Sequence, residues 1–165
     1  MLKKILMLVA LVSVLGACSG GSTSGDAGES LFQLKDLTGK TVDVADFEGK
    51  NVYVKFWASW CPICLAGLEE ANTLAAETDD FVVLTVVAPD YNNEKKKDAF
   101  IKWYKGVEGV EDLPVLFDEG GKLVQKFNVR GYPTSAFINK KGELVKTQPG
   151  HLSNEQIIDM MNQIN

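Results

Sequence analysis

The stretch Phe56-Trp57-Ala58-Ser59-Trp60-Cys61-Pro62-Ile63-Cys64 decides how this chain is read. It joins two different patterns. On one side, Val52 to Ala58 is an apolar, β-branched and aromatic run, which predicts a buried strand. On the other, Leu65, Leu68, Asn72 and Ala75 or Ala76 recur near the helical period, which predicts a helix from Cys61 to about Glu77. Pro62 suits a first helical turn, where its missing N–H costs nothing. A C-x-x-C pair at this junction has a chemical use. Cys61 would lie at a helix N-terminus, where free N–H groups favour a thiolate. Cys64, one turn on, would be close enough to attack a mixed disulfide on Cys61 and close the ring. The competing reading is half of a zinc site, which needs two further ligands that one distant His151 cannot supply.

Working outward, the alternation of elements continues. Upstream, Phe32 to Leu37, Gly39 and Thr41 to Val44 predict a hairpin, and Asp46 to Lys50 a short turn. Downstream, Phe81 to Ala88 predicts a second buried strand, and Asn93 to Lys105 an amphipathic helix with Phe100, Ile101 and Tyr104 inward. Val115 to Phe117 reads as a strand and Gly121 to Phe127 as a short helix. Thr134 to Asn139 reads as a strand that turns at Lys141-Gly142 into Leu144 to Thr147. Ser153 caps a last helix through Ile164, with Ile157, Met160, Met161 and Ile164 apolar. The order predicts an α/β fold with a mixed central sheet flanked by helices.

The chain has 165 residues, 45% apolar and 24% charged, which is one globular domain's worth. Its formal charge of −5 does not suit a nucleic-acid binder. Lys3 and Lys4 precede an apolar run from Ile5 to Leu15 that is too short to span a membrane, so residues 1–17 read as a signal peptide. Leu15-Gly16-Ala17-Cys18 resembles the lipobox of bacterial lipoproteins. That resemblance implies cleavage before Cys18 and acylation of its sulfur, against the alternative of an ordinary signal peptide and an incidental cysteine. Removal of the signal leaves 148 residues and a charge of −7, with Cys61 and Cys64 as the remaining thiols. Residues 19–30, SGGSTSGDAGES, are Gly/Ser-rich and read as a flexible tether of roughly 20 Å. The expected organisation is therefore signal peptide 1–17, lipidated Cys18 with linker to 30, and one domain over 31–165.

A second motif, Arg130-Gly131-Tyr132-Pro133-Thr134, stands before an apolar strand. W-C-x-x-C followed by G-x-P-T resembles the thioredoxin superfamily, in which this proline is cis and packs beside the cysteine pair. The resemblance implies that Pro133 and Tyr132 shape a substrate groove, with Trp60 at its flank. The N-terminal hairpin, F-W-A-S-W-C and an insert around Asp90 to Asp112 resemble the TlpA/ResA-like branch of extracytoplasmic, membrane-tethered reductases. Within that branch, Lys55 to Cys61 and Leu65-Ala66-Gly67-Leu68 look like streptococcal surface thioredoxin-like lipoproteins. This likeness implies a protein-disulfide oxidoreductase needing no dissociable cofactor and no metal. It also implies a thiol donor of CcdA type in the membrane and an oxidised client such as methionine sulfoxide reductase.

Two positions depart from the pattern. A buried aspartate is usual six residues before the first cysteine, and here stands Lys55. ResA-like members carry a glutamate three residues after the second cysteine, and here stands Gly67. Lys55 sits in the predicted strand on the side of Tyr53 and Trp57, where an ammonium is costly unless paired. It either tunes the cysteine pair or packs its stem with the amine reaching water or a carboxylate. Glu69, Glu70 and Lys95-Lys96-Lys97 read as solvated, Trp103 as core and His151 as surface. The direction of electron flow stays open between reductase and disulfide-forming oxidase. Outside this class stand a binding lipoprotein with a static disulfide, a copper carrier, which C-x-x-C spacing disfavours, and a peroxidase.

Overall fold

The computed structural model describes residues 30–164. The signal peptide, Cys18 and all of the linker except Ser30 lie outside the described residues. In chain order, the strands are β1 Gln33–Asp36, β2 Thr41–Asp43, β3 Asn51–Phe56, β4 Phe81–Val87, β5 Val115–Phe117, β6 Thr134–Ile138 and β7 Leu144–Pro149. The helices are α1 Pro62–Ala66, α2 Leu68–Glu77, α3 Lys97–Tyr104, α4 Lys122–Lys126 and α5 Asn154–Gln163. Among the described residues, the strands form one sheet in the order β2-β1-β5-β4-β3-β6-β7. β3, β4 and β5 run parallel and the remaining pairs antiparallel. The mixed sheet expected from the alternation is therefore present.

β3 lies at the centre, and all six of its residues are buried. Its continuous apolar character follows, because a strand covered on both faces needs no polar side. Val52, Val54 and Phe56 face a core with Leu84, Val86, Ala136 and Ile138. Tyr53 packs on the other face with Leu74, Phe137 and Ile157, and Trp57 follows with Leu68, Val87 and Phe100. The C-terminal end of β3 thus delivers residues 57–61 to the edge of a closed core.

Two helices differ from the periodicity. The predicted helix from Cys61 to Glu77 breaks at Gly67 (φ −104°, ψ 14°) into α1 and α2. Glycine resists the break least, and the Gly67 carbonyl there receives Lys55 Nζ as well as Ala71 N–H. The second helix starts at Lys97, not Asn93. Asp90, Asn92 and Asn93 have left-handed backbones (φ 61°, 48° and 63°), which Asp and Asn tolerate and a helix does not. The chain there makes a turn that sends Glu94 inward. Ser153 caps α5 as expected, with Gln156 completing a capping box.

Candidate active site

Beyond β3 the ladder carries on for one more bond, Trp57 N–H to Val86 O at 3.1 Å, and the chain then turns, with Cys61 N–H donating to Ala58 O at 3.1 Å. Cys61 is the N-cap of α1 with an extended backbone (φ −93°, ψ 105°), and Pro62 occupies the first turn. The Cys64 N–H points at Cys61 Sγ at 3.3 Å. Helix start and strand end together place the two Cα atoms 5.2 Å apart, and a disulfide joins the sulfurs. The two cysteines are not equivalent. Cys61 retains 4% exposure and Cys64 none.

Around Cys61 the surface is apolar. Trp60 is 48% exposed and Ile63 is also exposed. The Trp60 ring meets Tyr132 edge-on at 5.9 Å between centroids. The Tyr132–Pro133 bond is cis, and the Tyr132 carbonyl oxygen lies 3.6 Å from Cys61 Sγ. The structure thus gathers Cys61, Cys64, Trp60, Tyr132 and Pro133 from two distant parts of the chain. Burial raises the Tyr132 hydroxyl pKa, against a hydrogen bond with Asn92.

Glu94 was not foreseen as part of this site. It is buried, and its carboxylate accepts from Ser59 N–H (2.5 Å), Ser59 Oγ–H (2.5 Å) and Lys95 N–H (2.6 Å). Lys95 Nζ donates to Ser59 Oγ at 2.7 Å and stands 5.0 Å over the Trp103 ring. Lys95 therefore belongs to this clamp and is not part of a merely solvated run. The clamp holds the residue two before Cys61 by both its backbone and its side chain. The available signal was the Asp90/Asn92/Asn93 turn chemistry, which excludes Glu94 from an exposed helical face.

Lys55 is 3% exposed, and Nζ donates to Gly67 O at 3.1 Å. Burial lowers its pKa, opposed by the charge of Glu70. A Cβ on Gly67 would stand 3.2 Å from Lys55 Nζ and 3.0 Å from His151 Cε1, so this glycine leaves room for both side chains. Glu70 Oε1 accepts from Asn154 N–H at 2.9 Å, and Glu70 Oε2 is 3.5 Å from His151 Nε2. Glu70 and His151, read from sequence as solvated and surface residues, are half-exposed members of a polar group behind the active-site helix. Among the described residues, no cluster of three His, Cys, Asp or Glu side chains is placed to hold a metal.

Residues 23–163 match the Redoxin family. The chain is 30% identical over 165 residues to the thiol-disulfide oxidoreductase ResA of Bacillus subtilis, covering 96% of this chain and 89% of that one. It is 52% identical over 126 residues to an uncharacterised protein of Haemophilus influenzae, covering 76% and 80% of the two chains. Its structure is similar to that of the pneumococcal exposed lipoprotein thioredoxin Etrx1 from Streptococcus pneumoniae, with 47% identity, a TM-score of 0.78, and coverage of 81% of this chain and 98% of that one. It is also similar to the N-terminal domain of PilB from Neisseria gonorrhoeae, at 33% identity and TM-score 0.73, over 78% and 86% of the two chains. With that match over most of its length and a bonded C-x-x-C pair at the end of its central strand, the chain belongs to the Redoxin family, as a thioredoxin-like thiol–disulfide oxidoreductase of the TlpA/ResA-like branch.

Proposed function

We propose that this oxidoreductase is a lipid-anchored extracytoplasmic reductase, drawing electrons from a membrane dithiol protein of CcdA type and passing them to an oxidised surface protein such as methionine sulfoxide reductase. The observation that carries the assignment of roles is the asymmetry of the pair: Cys61 faces the apolar rim and the Tyr132 carbonyl, and Cys64 is sealed behind it. The Cys61 thiolate attacks the client disulfide, whose S–S bond breaks and releases one client thiolate. The Cys64 thiol then loses its proton, its sulfur bonds to Cys61 Sγ, and the mixed disulfide breaks, releasing the second client thiolate. Two electrons have moved to the client, and the protein is left as the Cys61–Cys64 disulfide. The donor dithiol reverses these bonds. An extended client segment pairs with the Tyr132 backbone, and Trp60 and Ile63 cover it from water. The lipobox ending in Cys18 and the likeness to an exposed lipoprotein support the location and the anchor. No helix of the described residues is long and apolar enough to cross a membrane.

The test is the thiol state in living cells, by acid quench and alkylation with a mass-tagging maleimide. A mainly reduced Cys61–Cys64 pair is expected, becoming oxidised when the membrane donor is deleted. A mainly oxidised pair in the parent strain would reverse the direction of flow. Labelled palmitate should enter the parent chain and not a Cys18→Ser chain.

A further inference from the structure

Strand register fixes where the chain enters the domain relative to Cys61. β1 runs antiparallel to β5, and Lys35 stands opposite Phe117, the last residue of β5. Phe117 in turn stands opposite Val87, the last residue of β4, and Val86 opposite Phe56, the last of β3. β1 therefore starts at the end of the sheet where β3, β4 and β5 finish, which is the end that carries Cys61. Val44 N–H still reaches Phe32 O at 3.1 Å, so the chain keeps this direction back to Phe32. In the order β1-β5-β4-β3, about 15 Å separates the entering chain from β3. The tether thus leaves the domain at its redox end. Lys50, Lys140 and Lys141 lie at the opposite end, where β3 starts and β6 finishes.

Beside the entering chain, a groove between β1 and α4 is lined by apolar Phe32, Leu34 and Leu123 and by exposed Lys35, Lys122 and Lys126. Lys126 Nζ donates to Leu31 O at 2.7 Å, where the tether begins. The carboxylates nearby are partnered. Asp118 is buried and accepts from Leu123 N–H at 3.0 Å and Val124 N–H at 2.8 Å. Glu119 pairs with Lys97 at 2.8 Å. Asp43 accepts from Ala45 N–H at 2.9 Å and from the Ser30 and Gln33 side chains. Among the described residues, neither Lys35 nor Lys122 has a carboxylate within ion-pair distance.

The chain as a whole is acidic, with 22 acidic against 17 basic residues. Near an anionic surface such a molecule is repelled over most of its outline and attracted at a lysine cluster, so the cluster selects an orientation. The tether narrows the choice. Its span of roughly 20 Å compares with a radius of gyration of about 14 Å for a domain of this size. The end from which it leaves is the end held near the bilayer.

Resting on the reading of Cys18 as a lipid anchor, we propose that the lysine-lined groove beside Leu31 docks on the anionic phospholipid headgroups of the membrane that holds the anchor. Lys35, Lys122 and Lys126 meet the headgroup phosphates, each adding attraction close to the surface. Docking turns the Cys61 end of the sheet toward the bilayer and brings the rim of Trp60 and Ile63 within reach of a dithiol at the membrane surface.

The experiment uses the full chain recovered from membranes and inserted into preformed vesicles of phosphatidylglycerol or of phosphatidylcholine. Lysines are acetylated with a water-soluble succinimidyl ester, and the rate at each site is read by peptide mass spectrometry. Lys35, Lys122 and Lys126 should react about threefold or more slowly on phosphatidylglycerol, with Lys50, Lys140 and Lys141 unchanged. The difference should vanish at about 0.5 M salt, where charges are screened beyond about 4 Å. Lys35→Gln with Lys122→Gln, both at exposed positions, should abolish the protection of Lys126. Equal rates on the two vesicles, equal slowing at both ends of the sheet, or protection of Lys126 that survives the double variant would overturn the proposal. The mass of the N-terminal peptide separates the two readings. A Cys18 without acyl chains overturns the anchor and the docking together, and an acylated Cys18 with equal rates overturns the docking alone.

Discussion

Glu94→Ala should destabilise the oxidised fold by roughly 3–4 kcal/mol. The carboxylate accepts three hydrogen bonds, two from Ser59 and one from Lys95 N–H. Alanine leaves the buried Ser59 N–H without its acceptor, at about 1–3 kcal/mol for such a group, and the half-buried Lys95 N–H loses its partner as well. The Ser59 hydroxyl can still turn to another acceptor, and the desolvation cost of the carboxylate is relieved, which keeps the total below the sum of three charged bonds. Glu94→Gln keeps one oxygen for the two donors at Oε1 and turns an NH2 toward the Ser59 N–H, so about half the loss is expected. Urea unfolding of the oxidised chain measures both. With a slope of about 1.5–2 kcal/mol/M, the alanine variant's midpoint should fall by about 2 M. A loss under about 1 kcal/mol for alanine, or equal losses for both variants, would refute the view that three accepted bonds hold the loop before Cys61.

Three further outcomes follow from the geometry. Burial lifts the Tyr53 hydroxyl from 10.0 to about 12, so the folded state keeps a proton that the unfolded chain releases. This stability is complete below pH 10 and is lost as pH rises through about 12, and Tyr53→Phe should flatten the fall seen in urea melts above pH 10; parallel curves would contradict this. Gly121→Ala should cost about 2–3 kcal/mol, because φ is +66° and the new Cβ would stand 2.6 Å from the Tyr91 ring; a thermal midpoint within 2 °C of the parent would contradict it. Trp60→Ala, at a half-exposed position, should leave stability within about 1 kcal/mol yet slow reduction of a protein disulfide such as insulin about fivefold or more, with glutathione disulfide little affected. Equal slowing for both substrates would argue against a docking role.

Local pattern carried much of the reading. β3, β4, β5 and β6 stand out as short apolar runs, and their burial on both faces is the reason. Cys61 and Cys64 were legible because thiol spacing, a strand end and Pro62 all act within a few residues. Pro133 was legible only through resemblance, since X–Pro isomer preference is set by contacts made elsewhere. The α1–α2 break was hidden because a lone glycine interrupts a helix weakly, and the group that bonds its carbonyl comes from β3, twelve residues earlier. Glu94 was hidden for a related reason. The lysines that follow it, Lys95 to Lys97, read as a solvated face, and only the left-handed turn through Asp90, Asn92 and Asn93 directs Glu94 under Ser59, 35 residues away.

By itself the sequence determined the order of elements, the α/β class, the redox pair, and the oddity of a lysine in the central strand. These are properties of short-range periodicity, turn chemistry and residue type. Tertiary structure alone decided which cysteine keeps a trace of exposure, that the Tyr132 carbonyl stands against Cys61, that Glu94 and Lys95 hold Ser59, and that Lys55, Glu70 and His151 gather around Gly67. Each of these joins residues far apart in the chain. Their energies come from desolvation and hydrogen-bond geometry, which exist only once the sheet has brought the partners together.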